Sequence, residues 1–245
     1  LAPAAAGFLI AWIGIEGVYY AMTALYILAI LFVLPLPRGG VTSLRGRGAW
    51  GDVKDGLSYV RQDITIFLVL ALTLVTVVLS MPYIFLLPMF TEQIWEVGPD
   101  KLGILVSSSG IGAVVGSLII ASLANKGRGK LLLWSGLLTG IALAAFSFSP
   151  FYGLAVILMV PLGLGQAGRM ALGNTLLQYY VRDEYRGRVM SIFMMEFGLT
   201  SIGMFFMGML SDIIGVQWAV GGGGILLAFL SIGFIAFIPR IRNLD

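Results

Sequence analysis

Long apolar runs separated by short polar connections make up most of the chain. They lie at about 1–14, 17–36, 64–90, 102–124, 131–148, 151–178, 188–210 and 218–239. All but the first are close to or longer than the roughly 20 residues that an α-helix needs to cross a bilayer. We expect the short first run to be the end of a span that begins before Leu1. The pattern predicts an all-α, polytopic membrane helical bundle.

Basic residues are confined almost entirely to alternate connections. Thirteen of the 15 lysines and arginines lie within 37–63, 125–130, 179–188 and the segment after residue 239. By the positive-inside rule these connections, and with them the C-terminus, are cytoplasmic. We therefore expect a multi-pass protein of the cell (inner) membrane. Its net charge of +3 reflects membrane topology, and we expect no nucleic-acid partner.

Composition narrows the possible chemistry. The chain is 59% hydrophobic and 11% charged, whereas about a quarter of the residues in a soluble domain are charged, so the lipid bilayer surrounds most of the surface. The 245 residues include no cysteine and no histidine, which excludes disulfides and the commonest metal ligands and nucleophiles. We expect no enzymatic activity, no metal and no cofactor, and a carboxylate is the best candidate to carry a proton.

An internal repeat predicts the domain organisation. Gly7–Gly14 and Gly208–Gly215 match at four positions with an offset of 201 residues. If the offset relates two parallel six-helix halves, residues 1–36 are the last two helices of the first half and residues 64–245 are the second half. Residues 37–63 then form a cytoplasmic linker with an amphipathic helix, which either couples the halves or simply anchors the linker at the membrane surface.

Two charged residues interrupt the apolar runs. Arg169 lies about 13 Å from the inner end of its predicted helix and Glu196 about 12 Å from the start of the next, at 1.5 Å per residue. Charges at this depth are costly, which makes both residues functional-site candidates. We expect the two side chains to face the bundle interior, where they can meet. Three interpretations stay open: transport chemistry in which substrate or proton competes for Glu196, a static polar lock, and an arginine that reaches a watery vestibule.

Further candidates surround this pair. A proline removes a backbone hydrogen bond and permits a kink, and nearby glycines allow bending. The candidate hinge residues are Pro82, Pro88, Pro161, Gly163 and Gly165. The candidate substrate contacts, besides the charged pair, are Tyr83, Phe85 and Gln166. The alternative for the Pro82–Pro88 stretch is an outer helix end that frays.

The charged connector 179–188 is a candidate cytoplasmic gate. Its candidate residues are Arg182, Asp183, Glu184, Arg186 and Arg188. Acids near a helix N-terminus complement the helix dipole, and arginines can form bidentate pairs across a gate. The alternative is that these charges have no gating role and only set the membrane topology and cap the helix.

Two of these segments carry a family resemblance. Val181–Ser191 (VRDEYRGRVMS) resembles the entry to helix eleven of major facilitator superfamily transporters, and Gly56–Arg61 (GLSYVR) is similar to the segment before helix seven. Overall, the chain resembles the C-terminal two-thirds of such a transporter, from the secretion-effector branch that includes enterobactin-exporter-like proteins. The resemblance implies the last eight of twelve helices and alternating access around a central site.

We therefore expect a secondary active transporter, namely a proton-coupled exporter (an antiporter) of amphiphilic small molecules of the drug or siderophore type. An uptake transporter of the same fold is one alternative, and a non-transporting membrane scaffold or sensor is another. The expected partners are a small-molecule substrate, the proton, the lipid bilayer and the missing N-terminal helices of the same chain.

Overall fold

The computed structural model describes residues 2–34, 48–98, 100–123 and 126–244. Its helices are α1 (Ala2–Val33), α2 (Gly48–Gln62), α3 (Ile64–Ser80), α4 (Tyr83–Met89), α5 (Asp100–Ser122), α6 (Arg128–Ser147), α7 (Tyr152–Tyr180), α8 (Asp183–Ile214), α9 (Val216–Phe237) and α10 (Pro239–Arg242). A π-helical turn, Phe90–Ile94, extends α4. Within these ranges seven helical stretches are long and apolar enough to cross a membrane. The predicted all-helical, multi-pass membrane bundle is confirmed.

The division between the first two apolar runs is present, because α1 consists of two helical segments that meet at Gly14, where the backbone leaves the helical region (φ 72°, ψ 168°). Another predicted boundary differs. The connector predicted over 179–188 is mostly helical, because α7 continues to Tyr180 and α8 begins at Asp183. The amphipathic helix of the linker is present as α2, while the linker residues 35–47 lie outside the described residues.

The break between α3 and α4 follows from the position of one proline. Pro82 has no N–H to donate to the carbonyl of Val78 one turn earlier, and α3 ends two residues before it. Helix α8 packs against that carbonyl through Gly203, where an added Cβ would lie 2.6 Å from Val78 O. Only glycine leaves room for this approach. The kink at Pro82 and the contact between α3 and α8 therefore involve the same carbonyl group, that of Val78.

Small residues set the spacing between the other helices. Helix α7 lies between α5 and α6, and α6 also packs along α9. Gly112 of α5 contacts the backbone of Val160, and Gly163 of α7 contacts the backbone of Ser109, so neither position has room for a side chain. Gly140 of α6 lies in the same way against α9. The apolar faces of membrane helices gain little from leaving lipid, so such close backbone contacts are what holds them together.

Two apolar clusters fill the bundle, one toward each end of the helices. One includes Ile66, Leu72, Leu132, Leu176 and Phe193, and the other includes Tyr83, Leu105, Phe146, Met159 and Leu162. Along α3, α7 and α8 several buried polar residues lie between these clusters. They include Thr73, Thr76, Arg169 and Glu196. The helices therefore enclose a polar layer near the middle of the bundle.

Candidate functional site

The predicted meeting of Arg169 and Glu196 is confirmed. Arg169 Nη1 on α7 donates to Glu196 Oε2 on α8 across 3.3 Å. Both residues are buried, each with 3% of its surface exposed. Arg169 therefore ends in an ion pair inside the bundle and does not extend to an aqueous end of its helix.

The structure adds a third residue, Thr73, which the sequence analysis missed. Its Oγ1 donates to Glu196 Oε1 at 2.6 Å, and the side chain is fully buried. The same hydroxyl lies 3.0 Å from the carbonyl oxygens of Val69 and Leu70. The hydroxyl of a threonine in a membrane helix commonly donates to a carbonyl one turn earlier in the same helix. Nothing in the sequence therefore indicates that Thr73, and not Thr76, contacts Glu196. Together Arg169, Glu196 and Thr73 form a polar triad that joins α3, α7 and α8.

A pocket of about 390 Å³ adjoins the triad on the arginine side. Its polar lining consists of Arg169, Gln166 and Ser109, and Glu196 is not among its lining residues. The Gln166 Nε2 atom is buried and has no hydrogen-bond partner among the described residues. The pocket wall therefore contains an arginine and a glutamine, both of which carry hydrogen-bond donors, and does not include the Glu196 carboxylate.

A second, more apolar pocket of about 220 Å³ shares a wall with the first. Met81 and Phe197 line both pockets, and Phe85 and Met204 belong to the second alone. Phe85 is 59% exposed and available for contact. Tyr83, the other predicted substrate contact, is buried in the apolar cluster against Phe146 and lines neither pocket. Its hydroxyl lies near the side chains of Ser109 and Gln166, which line the first pocket, so Tyr83 lies behind that pocket's wall.

The candidate hinge residues differ in their surroundings. Pro82 lies at the break between α3 and α4, and Pro88 lies within α4, just before its π-helical extension. Pro161 is within α7, which continues unbroken from Tyr152 to Tyr180. In this conformation Gly163 and Gly165 are close-packing positions, against Ser109 and Thr139 respectively.

The candidate gate residues lie around the first two turns of α8. Arg186 Nη2 forms an ion pair with Asp183 Oδ1 at 2.6 Å, and both side chains are well exposed. The backbone N–H of Arg182 donates to the Tyr59 hydroxyl of α2 at 3.2 Å. The Arg188 guanidinium lies over the Tyr185 ring, 5.7 Å from its centroid. Glu184 is exposed in the first turn of α8.

The contact between α2 and α8 centres on two aromatic rings. Tyr59 and Tyr185 stack with centroids 4.2 Å apart and an interplanar angle of 3°. Gly56 lies against Cβ of Arg188, which lets the two helices approach closely. The linker helix is therefore attached directly to the candidate gate segment.

A multi-pass bundle that buries a charged pair beside a pocket of mixed polarity is the arrangement expected of membrane transport proteins, in which buried charges often mark substrate or ion pathways. Residues 72–243 match the family model of the Major Facilitator Superfamily. The chain belongs to this superfamily, which places it among transporters and not among enzymes.

Relatives named for transport point in the same direction. The chain is 24% identical over 217 residues to the Staphyloferrin A transporter of Staphylococcus aureus (strain NCTC 8325 / PS 47), covering 88% of this chain and 54% of that protein. It is 24% identical over 199 residues to Macrolide efflux protein A of Streptococcus pyogenes, covering 79% and 49%. A D-xylose transporter of Levilactobacillus brevis is 30% identical over 106 residues, covering 43% and 23%. The chain spans about half the length of the first two relatives.

Proposed function

We propose that the chain is part of a secondary active transporter that exports amphiphilic small molecules in exchange for protons. The observation that carries the proposal is the buried Arg169–Glu196 pair at the wall of the pocket. Relatives named for siderophore transport and macrolide efflux support a substrate of this type. The protein is a multi-pass membrane protein, and we place it in the cell membrane with its C-terminus in the cytoplasm.

Glu196 is the proposed proton-binding residue. Its carboxylate is held by Arg169 on one oxygen and Thr73 on the other. A proton on Glu196 removes one charge of the pair, and breaking a buried pair leaves an uncompensated charge that costs about 3–5 kcal/mol. The polar triad then has to rearrange, and because its three members lie on three helices, that rearrangement moves α3, α7 and α8 relative to one another.

The two adjoining pockets are the proposed substrate site. Arg169 and the free amide of Gln166 would meet acceptor atoms of the substrate. Phe85, Phe197 and the flexible side chain of Met204 would contact its apolar body, and aromatic and methionine side chains accommodate varied apolar shapes. Tyr83 holds this wall in place.

The proposed architecture has two six-helix halves, with residues 1–36 in the first, 37–63 as linker and 64–245 in the second. No described side chain of α1 from Trp12 onward is buried, as expected for a helix whose packing partners are the N-terminal helices of the same chain. Alternating access would bend the spans at the five candidate hinge residues. The segment 182–188 would then open and close the cytoplasmic side.

The test is transport by the full-length protein in vesicles, with lipophilic dyes and siderophores as substrates. Wild type is compared with Glu196→Gln, with and without a pH gradient. We expect gradient-driven export in the wild type and its loss in the variant, with expression retained because glutamine has the shape of glutamate and resembles its protonated form, a state that the proposed cycle already includes. Gradient-driven export that survives the substitution would leave the ion pair as a structural lock. No transport of any compound would favour a scaffold or sensor.

Uptake is the second candidate, and one observation favours it. Because Arg169 and not Glu196 lines the pocket, a proton on Glu196 leaves the guanidinium available to an anionic substrate. Proton and anion would then bind together and move in the same direction. Accumulation of a carboxylate-bearing substrate inside vesicles that are acidic outside would support uptake, because proton and substrate then enter together. Accumulation inside vesicles that are acidic inside would support export, because protons then leave in exchange for substrate.

A further inference from the structure

A third cavity, of about 730 Å³, shares no lining residue with the polar triad and lies where α5 ends, α6 begins and α10 ends. It is lined by Leu123, Lys126, Gly127, Lys130, Leu131, Trp134, Arg242 and Asn243. The positive-inside pattern predicts that this end of the helices is cytoplasmic. The cavity therefore lies at the membrane surface, outside the proposed substrate site.

The C-terminal segment is fixed in place against α6. The N–H of Gly129 donates to the carbonyl of Leu244 at 3.1 Å, and an added Cβ on Gly129 would collide with the carbonyl of Ile241. Ile241 and Leu244 are buried, whereas Arg242 and Asn243 between them are exposed. Because Ile241 and Leu244 are buried, Arg242 and Asn243 are left to line the cavity. They do so together with Lys130 of α6 and Lys126 of the connection before α6.

The lining is strongly positive. Lys126, Lys130 and Arg242 contribute three cations, and no acidic residue is among the lining residues in the described part of the chain. None of the three forms an ion pair with another described residue. Like charges gathered on a concave surface next to low-dielectric material repel one another, and a bound anion relieves that repulsion.

The rim of the cavity is apolar. Trp134 is 59% exposed and Leu123 is 42% exposed. Tryptophan is enriched at the headgroup level of membranes, where its ring contacts both polar and apolar groups. A ligand that fits both features has an anionic phosphate for the cations and an apolar part for the rim.

We propose that this cavity binds the phosphate of an acidic phospholipid, with Lys126, Lys130 and Arg242 around the headgroup and Trp134 beside the glycerol and acyl region. Basic pockets between membrane helices on the cytoplasmic side are suited to anionic headgroups. A soluble phosphate ester shares the phosphate chemistry but leaves the apolar rim uncovered, so the lipid is the source to which the geometry points.

The experiment uses brominated lipids, which quench tryptophan fluorescence on contact. The full-length protein is placed in phosphatidylcholine vesicles that contain increasing fractions of brominated phosphatidylglycerol, and in parallel brominated phosphatidylcholine. Subtracting the signal of Trp134→Phe isolates quenching at Trp134. We expect Trp134 to be quenched at much lower fractions of phosphatidylglycerol than of phosphatidylcholine.

The charge dependence is tested with matched double variants. Lys126→Gln/Lys130→Gln is expected to weaken the phosphatidylglycerol effect by about 10- to 30-fold, because each basic residue near the surface contributes about 1 kcal/mol of attraction. Lys54→Gln/Arg61→Gln removes the same charge from α2 and is expected to leave the effect unchanged. An equal loss in both variants would show general surface charge, and quenching by both lipids alike would show no headgroup preference; either result overturns the proposal. Relief of quenching by soluble glycerol phosphate would assign the cavity to a soluble ester and overturn the lipid assignment.

Discussion

Gly14 and Gly215, 201 residues apart, have nearly the same backbone conformation. Their angles are φ 72°, ψ 168° and φ 85°, ψ 151° respectively. Each glycine separates two apolar helical segments with no loop between them, and the two glycines end the matching segments Gly7–Gly14 and Gly208–Gly215. Gly127 also has positive φ, but its ψ of 27° is left-handed helical. The sequence repeat therefore coincides with a repeated backbone geometry, which supports the proposed division into two halves.

Replacing Gly215 with alanine tests that geometry. An added Cβ at Gly215 meets no atom within 4 Å, so steric crowding is absent and only the backbone conformation matters. Positive φ with extended ψ is essentially confined to glycine, and we expect Gly215→Ala to lower the free energy of unfolding by about 1–3 kcal/mol. The measurement is unfolding in mixed micelles. Gly198→Ala, in open space within α8, is the control, and equal behaviour of the two variants would contradict the prediction.

Thr73 tests the polar triad. Thr73→Val keeps the shape of the side chain but leaves Glu196 Oε1 without its donor. We expect a loss of about 1–3 kcal/mol in the free energy of unfolding, the cost of an unsatisfied buried polar group. Thr73→Ser retains the hydroxyl and is expected to lose much less. The same micelle assay measures both, and a serine variant as unstable as the valine variant would mean that the methyl group, not the hydroxyl, is what matters.

Gly203 tests the contact between α8 and the kinked α3. A Cβ there would lie 2.6 Å from Val78 O and 3.1 Å from Cγ of Pro82. We expect Gly203→Ala to separate the helices and to lower the free energy of unfolding by about 1–3 kcal/mol, as overpacking does. Gly208→Ala lies on the same helix with nothing within 4 Å, and we expect it to be neutral or slightly stabilising. The prediction fails if both alanines have the same effect.

The Tyr59–Tyr185 stack tests the attachment of the linker helix. Tyr59→Ala removes the stacked ring and the hydroxyl that accepts from Arg182. Stacked aromatic pairs contribute about 0.5–1.5 kcal/mol, so we expect trypsin cleavage at Lys54 and Arg61 of α2 to become about 2- to 10-fold faster. Tyr59→Phe retains the stack and should be cleaved nearly as slowly as wild type. If alanine leaves the cleavage rate unchanged, the stack does not hold α2 in place.

The sequence predicted the helical spans well because burial in lipid requires long apolar runs whose backbone bonds are all internal. It also predicted the meeting of Arg169 and Glu196, since their depths on consecutive antiparallel helices are similar and a lone buried charge is costly.

The sequence by itself therefore indicated the approximate length and order of the spans, the connections in which the basic residues gather, and a similar depth at which the two buried charges can meet. Each follows from one-dimensional patterns set by the thickness and low dielectric of the membrane. Only the tertiary structure decided that Thr73 completes the triad, that Arg169 and not Glu196 faces the pocket, and that Tyr83 lies behind it. These depend on the rotation of each helix about its axis, which is set by contacts such as those at Gly163 and Gly203 between residues far apart in the chain.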